Sequence, residues 1–126
     1  MKYLLDTHAI LWFLTNKSEL PDVVLNKIVF EKDVFVSKVS FWEMAIKKSI
    51  GKLKLDVSIK NVYELCLMER FGILEIAPSH MDALQNLPFI HNDPFDRLLI
   101  CQAQVENFTF ITRDMKISKY DVKTFW

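Results

Sequence analysis

Tyr3-Leu4-Leu5-Asp6-Thr7-His8-Ala9-Ile10-Leu11-Trp12 is the stretch from which the fold is read. Its first three residues are a short apolar run, which predicts a buried strand. Thr7 to Leu14 then reads as a helix. A strand passing directly into a helix, with one aspartate at the junction, is the opening of an α/β unit.

The rest of the chain continues in the same manner. Pro21 opens a second helix through about Val29, since proline is tolerated in a first helical turn. Val34-Phe35-Val36 is β-branched and aromatic and predicts a second strand. Ser40 starts a helix that ends before Gly51. Residues 58–71 form another, with Gly72 as its stop. Ile73-Leu74-Glu75-Ile76 is a third strand, and Ser79 caps a short helix ending near Leu87. Pro94 opens a helix to about Glu106, Phe108 to Ile111 is a fourth strand, and Val122 to Phe125 a fifth. The connections are too long for hairpins. The expectation is therefore one α/β domain over residues 1–126, with a central, mainly parallel sheet between helices and right-handed crossovers.

Composition narrows the function. A length of 126 residues suits one core and leaves no room for a separate binding domain. Net charge is zero, against the basic excess of a protein that coats nucleic acid. Only two glycines occur, Gly51 and Gly72, which excludes a glycine-rich phosphate loop. Cys66 and Cys101 lie far apart with no zinc spacing, so buried free thiols and a cytoplasmic, reducing location are expected. Asp6 and His8 interrupt the apolar N-terminus, which is not read as a signal peptide, and no apolar stretch is long enough to span a membrane.

In a parallel sheet the site lies beyond the carboxyl ends of the strands. Asp6 directly follows the first strand. Glu43 is expected in the first turn of the helix after the second, Asp96 in the first turn of the helix opened by Pro94, and Asp114 just after the fourth strand. Four converging carboxylates repel one another, and some would take up protons unless hard divalent cations held them. Mg²⁺ or Mn²⁺ in such a cluster suits hydrolysis of a phosphodiester, with no covalent nucleophile needed. Each acid also has a purely structural reading. Asp6 can cap its helix, Ser40 with Glu43 fits a capping box, Asp96 can complement a helix dipole, and Asp114 can close a turn. Asp93 before Pro94 is read as a helix cap and left out of the metal set.

Four segments together resemble a known family: Leu4-Leu5-Asp6-Thr7-His8-Ala9, Val39 to Lys47, His91-Asn92-Asp93-Pro94-Phe95-Asp96-Arg97 through Ala103, and Thr112-Arg113-Asp114. In this order and at these separations they resemble the PIN domains, specifically the VapC-like toxins of type II toxin–antitoxin pairs. The resemblance reaches nearly the whole chain, to Tyr120-Asp121-Val122 and Trp126. It implies a three-layer PIN-like fold and Mg²⁺- or Mn²⁺-dependent endoribonuclease activity. Asp6, Glu43, Asp96 and Asp114 would be its catalytic and metal-holding acids, with Thr112 in support. It further implies a homodimer, an RNA substrate and a small antitoxin partner. Ile117 stands where Phe is frequent and Asn92 where Arg is frequent; neither touches the four acids.

Other residues have weaker claims. Arg97 and Arg113 adjoin the acids and are candidates for substrate phosphate or for pairing within the cluster. His8 is assigned a supporting role in its apolar helix, while His91, in a loop, is left open. Lys47, Lys48, Lys52 and Lys54 are either a solvated helix end or a patch that steers phosphate. Trp12, Phe13, Phe41 and Trp42 are core, dimer surface or base-stacking material. Two rival functions stand beside the nuclease. One is a phosphate-accepting receiver, which fits poorly because Asp6 is followed by Thr7 and the late motif is Thr112-Arg113-Asp114. The other is a PIN-like binding module without catalysis.

Overall fold

A computed structural model describes residues 1–126. Five strands and six α-helices follow in the order β1 (Lys2–Leu5), α1 (Thr7–Thr15), α2 (Asp22–Phe30), β2 (Asp33–Ser37), α3 (Lys38–Ser49), α4 (Ile59–Met68), β3 (Gly72–Leu74), α5 (Pro78–Gln85), α6 (Pro94–Glu106), β4 (Thr109–Ile111) and β5 (Thr124–Phe125), with a pair of helices between successive strands up to β4. The sheet order is β3-β2-β1-β4-β5 and every pairing is parallel. The expected three-layer fold is thus observed, with a sheet that is wholly parallel.

Side-chain alternation along the strands divides the core into two layers. Tyr3 and Leu5 of β1 face Ala9, Ile10 and Phe13 of α1, Val24 and Ile28 of α2, and Val62 and Cys66 of α4. Leu4 and Phe110 face the opposite way, onto Leu98, Leu99, Ile100 and Cys101 of α6. Strands buried on both faces explain why their sequences are continuous apolar runs rather than alternating ones. Both cysteines are free and buried, and burial pushes the Cys66 thiol up to about 12, which leaves it inert. No helix is long and apolar enough to cross a membrane.

Three local expectations are corrected. Ser40 does not start α3: β2 runs straight into that helix, so Ser37 becomes the N-cap, accepting from the Val39 N–H at 3.0 Å. Ser40 and Glu43 therefore lie inside the helix, and Glu43 is in its second turn. Gly72 does not stop α4. Arg70 takes the left-handed turn at φ 64°, and Gly72 opens β3, where a Cβ would stand 2.5 Å from the Phe35 ring. Ser79 does not cap α5. The N-cap is Ala77, whose N–H donates to Nδ1 of His80 at 2.9 Å.

Candidate active site

The strand order reverses between β1 and β4, so their carboxyl ends border a crevice. The register places Leu5 opposite Ile111, which makes Asp6 and Thr112 the next pair along. The Asp6 N–H continues the ladder to the Ile111 carbonyl at 2.9 Å. The Thr112 hydroxyl donates to Asp6 Oδ2 at 2.6 Å and accepts from the Asp114 N–H at 3.1 Å. One threonine thereby fixes two of the acids. Asp6 is also the N-cap of α1, with Oδ1 accepting from the Thr7 N–H at 2.7 Å. The cap does not exclude a role in the cavity, because the carboxylate has two oxygens and only Oδ1 serves the helix.

Glu43 arrives from α3. Its Oε1 accepts from the Thr7 hydroxyl at 2.7 Å, and its Oε2 pairs with Lys47 Nζ at 2.5 Å. Ser40 Oγ lies 2.9 Å from the same threonine oxygen. Lys47 belongs to the site, then, and is drawn out of the basic cluster named from sequence. Desolvation pulls its ammonium down, but the bond to Glu43 and the charges of Glu43, Asp93 and Asp96 outweigh this and raise it. Lys48 instead donates to the Val57 carbonyl at 2.8 Å.

Asp96 stands at the start of α6, where Asp93 is the N-cap, accepting from the Phe95 and Asp96 N–H groups at 2.9 and 3.0 Å. Asp6, Glu43, Asp96 and Asp114 line one cavity of about 270 Å³, together with His8, Ala9, Trp12, Lys47, Arg113 and Trp126.

The four acids are unequally satisfied. Asp114 is held below the usual carboxylate range, since burial is outweighed by the His91 hydrogen bond, the Lys116 N–H and the charge of Lys116. Asp6 is raised by burial, opposed by Thr112, His8 and the Thr7 N–H. Asp96 is pushed up to about 8 by burial first and then by Asp6, Asp93, Glu43 and Asp114. Its carboxylate receives no hydroxyl or backbone N–H; its nearest donor is His91 Nε2 at 3.2 Å. A cluster of hard oxygen donors with one member lacking a good donor fits a divalent cation.

His91 is the residue that sequence reasoning left open. Its N–H donates to the Tyr120 hydroxyl at 2.7 Å, and Arg97 Nη1 reaches its carbonyl at 3.3 Å. Nδ1 accepts from the Asp93 N–H at 3.1 Å, which puts the ring hydrogen on Nε2, 2.7 Å from Asp114 Oδ2. Ligand atoms of His91, Asp96 and Asp114 lie within 4.8 Å of one another, close enough to share an ion. The tautomer argues otherwise, because a nitrogen carrying hydrogen orients a carboxylate and does not ligate.

Arg97 departs from expectation. Its guanidinium donates to the carbonyls of Pro88, His91 and Leu87 at 2.9, 3.3 and 3.1 Å, and the residue is buried. It fastens the loop that carries His91 and is not offered to the cavity mouth. Arg113 is exposed there, with its guanidinium carbon 4.7 Å from the Trp12 ring centroid. His8 is also exposed on the cavity, where the sequence suggested an apolar setting.

Thr112→Val should separate packing from orientation. It keeps the shape and removes the donor to Asp6. An activity loss of about 10- to 100-fold is expected, as for removal of a group that orients a metal-binding carboxylate, while Thr112→Ser retains most activity. Equal turnover by Thr112→Val and wild type would remove Thr112 from the site.

Fold and site define a class: a parallel α/β domain with an acidic cavity at the topological switch point. The chain belongs to the PIN domain family, whose model matches residues 3–123. No curated protein sequence matches it. Among solved structures it is similar to VapBC-1 from nontypeable Haemophilus influenzae, with 22% identity and a TM-score of 0.70 over 99% of this chain and 97% of that one. VapBC2 from Rickettsia felis bound to a promoter DNA fragment has 16% identity and a TM-score of 0.74 over 99% and 98%. FitAcB from Neisseria gonorrhoeae has 21% and 0.64 over 98% and 96%.

Proposed function

We propose that this PIN domain is a Mg²⁺- or Mn²⁺-dependent endoribonuclease and the toxin of a type II toxin–antitoxin pair. The observation that carries the reading is the convergence of Asp6 and Asp114, from the segments after β1 and β4, with Glu43 of α3 and Asp96 of α6 on one cavity. These four acids would hold the cation. When bound, the cation supplies positive charge against a phosphodiester and against the water that attacks it.

The chain's own residues supply the rest. Thr7 and Lys47 orient Glu43, Thr112 orients Asp6, and His91 orients Asp114 beside Asp96. Arg113, exposed at the mouth, meets substrate phosphate. Water displaces one ester oxygen from phosphorus. One P–O bond forms as another breaks, and the departing oxygen takes up a proton. The similarity to VapBC structures supports a protein antitoxin as the partner; a homodimer is proposed as the assembly.

The test is cleavage of a mixed RNA pool with Mn²⁺, Mg²⁺ or chelator, with Asp6→Asn alongside. Cutting that needs metal and is lost in the variant supports the reading. Cutting that survives chelator, or that Asp6→Asn leaves intact, overturns it.

A further inference from the structure

The four aromatic residues that sequence left undivided are separated by the structure. Phe13 and Phe41 are buried core. Trp42 lies against Phe95, with ring centroids 4.9 Å apart. Trp12 differs: its inner edge packs on the core, while its outer part lines the acidic cavity. Trp126, following β5, stands beside it at 6.0 Å between centroids, and the His8 ring lies 5.5 Å away, tilted by 33°. Arg113 covers part of the Trp12 ring at 4.7 Å. Aromatic and guanidinium planes thus form one wall of a cavity whose other wall is carboxylate.

That arrangement is not explained by the acid chemistry, which needs no indole. It does match what a nucleotide offers, an anionic phosphate joined to a flat base. We propose that Trp12, with Trp126 and His8, is a stacking subsite for one unpaired nucleobase next to the scissile phosphate. This deepens the nuclease reading and rests on it.

Stacking suits an unpaired base because sequence-tolerant recognition of single strands places successive bases on aromatic side chains. A base inside a duplex has both faces occupied and cannot reach the wall without being splayed out. The cavity, about 270 Å³, is large enough to take a base edge against Trp12 beside the acids. In the free protein Arg113 rests on the indole. An incoming nucleotide can exchange it, guanidinium to phosphate and base to ring, since stacking of a base outweighs an exposed cation–π contact.

The test reads both binding and cleavage. Indole fluorescence is titrated with a short unstructured RNA in a Trp42→Phe background, so that only Trp12 and Trp126 report. Its duplex and a copy with an abasic position serve as comparison ligands. Cleavage kinetics with Mn²⁺ are measured in parallel. The expected result is quenching by the single strand and much less by the duplex. Trp12→Ala should weaken binding and raise KM by between about fivefold and a hundredfold, with kcat falling less, and Trp12→Phe should recover most of the loss. Unchanged binding and KM in Trp12→Ala, with metal-dependent cleavage present, overturns the subsite and leaves the nuclease standing. Single-strand binding, read by anisotropy of a labelled RNA, that Trp12→Ala weakens and Trp12→Phe restores, in a protein that cuts no RNA with any metal, supports the base-stacking site and overturns the nuclease.

Discussion

Asp96→Asn should stabilise the metal-free protein and abolish RNA cleavage. Asp96 is the carboxylate with the fewest donors, and its side chain is only 18% exposed. Burial and four neighbouring acids raise its pKa from 3.8 to about 8. A carboxyl group raised in the folded state binds its proton more tightly there than in the unfolded chain. The folded protein therefore loses stability as pH rises from 3.8 toward about 8. At neutral pH this loss is on the order of 2–4 kcal/mol. Asparagine cannot ionise, so it removes the penalty.

In chelator at pH 8 the variant should melt roughly 5 °C or more above wild type, with a much smaller gain at pH 5. Thermal melts at both pH values check this. A variant less stable than wild type at pH 8 would show that Asp96 is better satisfied than its surroundings indicate. Cleavage should fall on the order of 10³-fold, since a metal clamp is worth several kcal/mol in the transition state. Opposite signs for stability and activity in one substitution mark a residue kept for chemistry.

The acids were legible because a parallel sheet dictates where chemistry gathers. Asp6 and Asp114 each come after a strand, and the β1–β4 register sets Asp6 beside Thr112, whose hydroxyl bonds both Asp6 and the Asp114 N–H. What sequence hid was side-chain direction. Arg97 adjoins Asp96 in the chain, but neighbouring residues on a helix point about 100° apart, so Asp96 enters the cavity and Arg97 turns to the loop carbonyls. His91 was a loop residue with no pattern of its own. Its role depends on Arg97, Tyr120 and the Asp93 N–H, which are contacts no spacing reveals. The Ser40 and Glu43 pair imitates a capping box, yet the length of β2 decides where α3 begins. Once Ser37 takes the cap, the same two residues face Thr7 inside the molecule.

Addition of Mn²⁺ at pH 7 should release about one proton per site and stabilise the protein by an amount that grows with pH. A cation takes carboxylates in their ionised form. Asp96, raised to about 8, holds its proton at neutral pH, and Asp6 is raised as well, whereas Asp114 is already ionised. Binding must therefore expel the Asp96 proton. Below that pKa the apparent affinity should rise about tenfold per pH unit and then level off above about pH 8. At a free Mn²⁺ concentration about 100 times Kd, the gain is about 2.7 kcal/mol.

Calorimetric titration at pH 7 in two buffers of different ionisation heat counts the protons directly. Asp96→Asn should bind more weakly and release fewer. Proton release near zero in wild type with affinity unchanged in Asp96→Asn would mean that the cation enters without Asp96, and the metal set would have to be drawn around Asp6, Glu43 and Asp114 alone. Release near zero with weakened binding in the variant would mean that Asp96 is already ionised at pH 7. Release near one in wild type, lost in the variant, links the residue that destabilises the empty fold to the cation it holds, because one unpaired carboxylate then accounts for both effects.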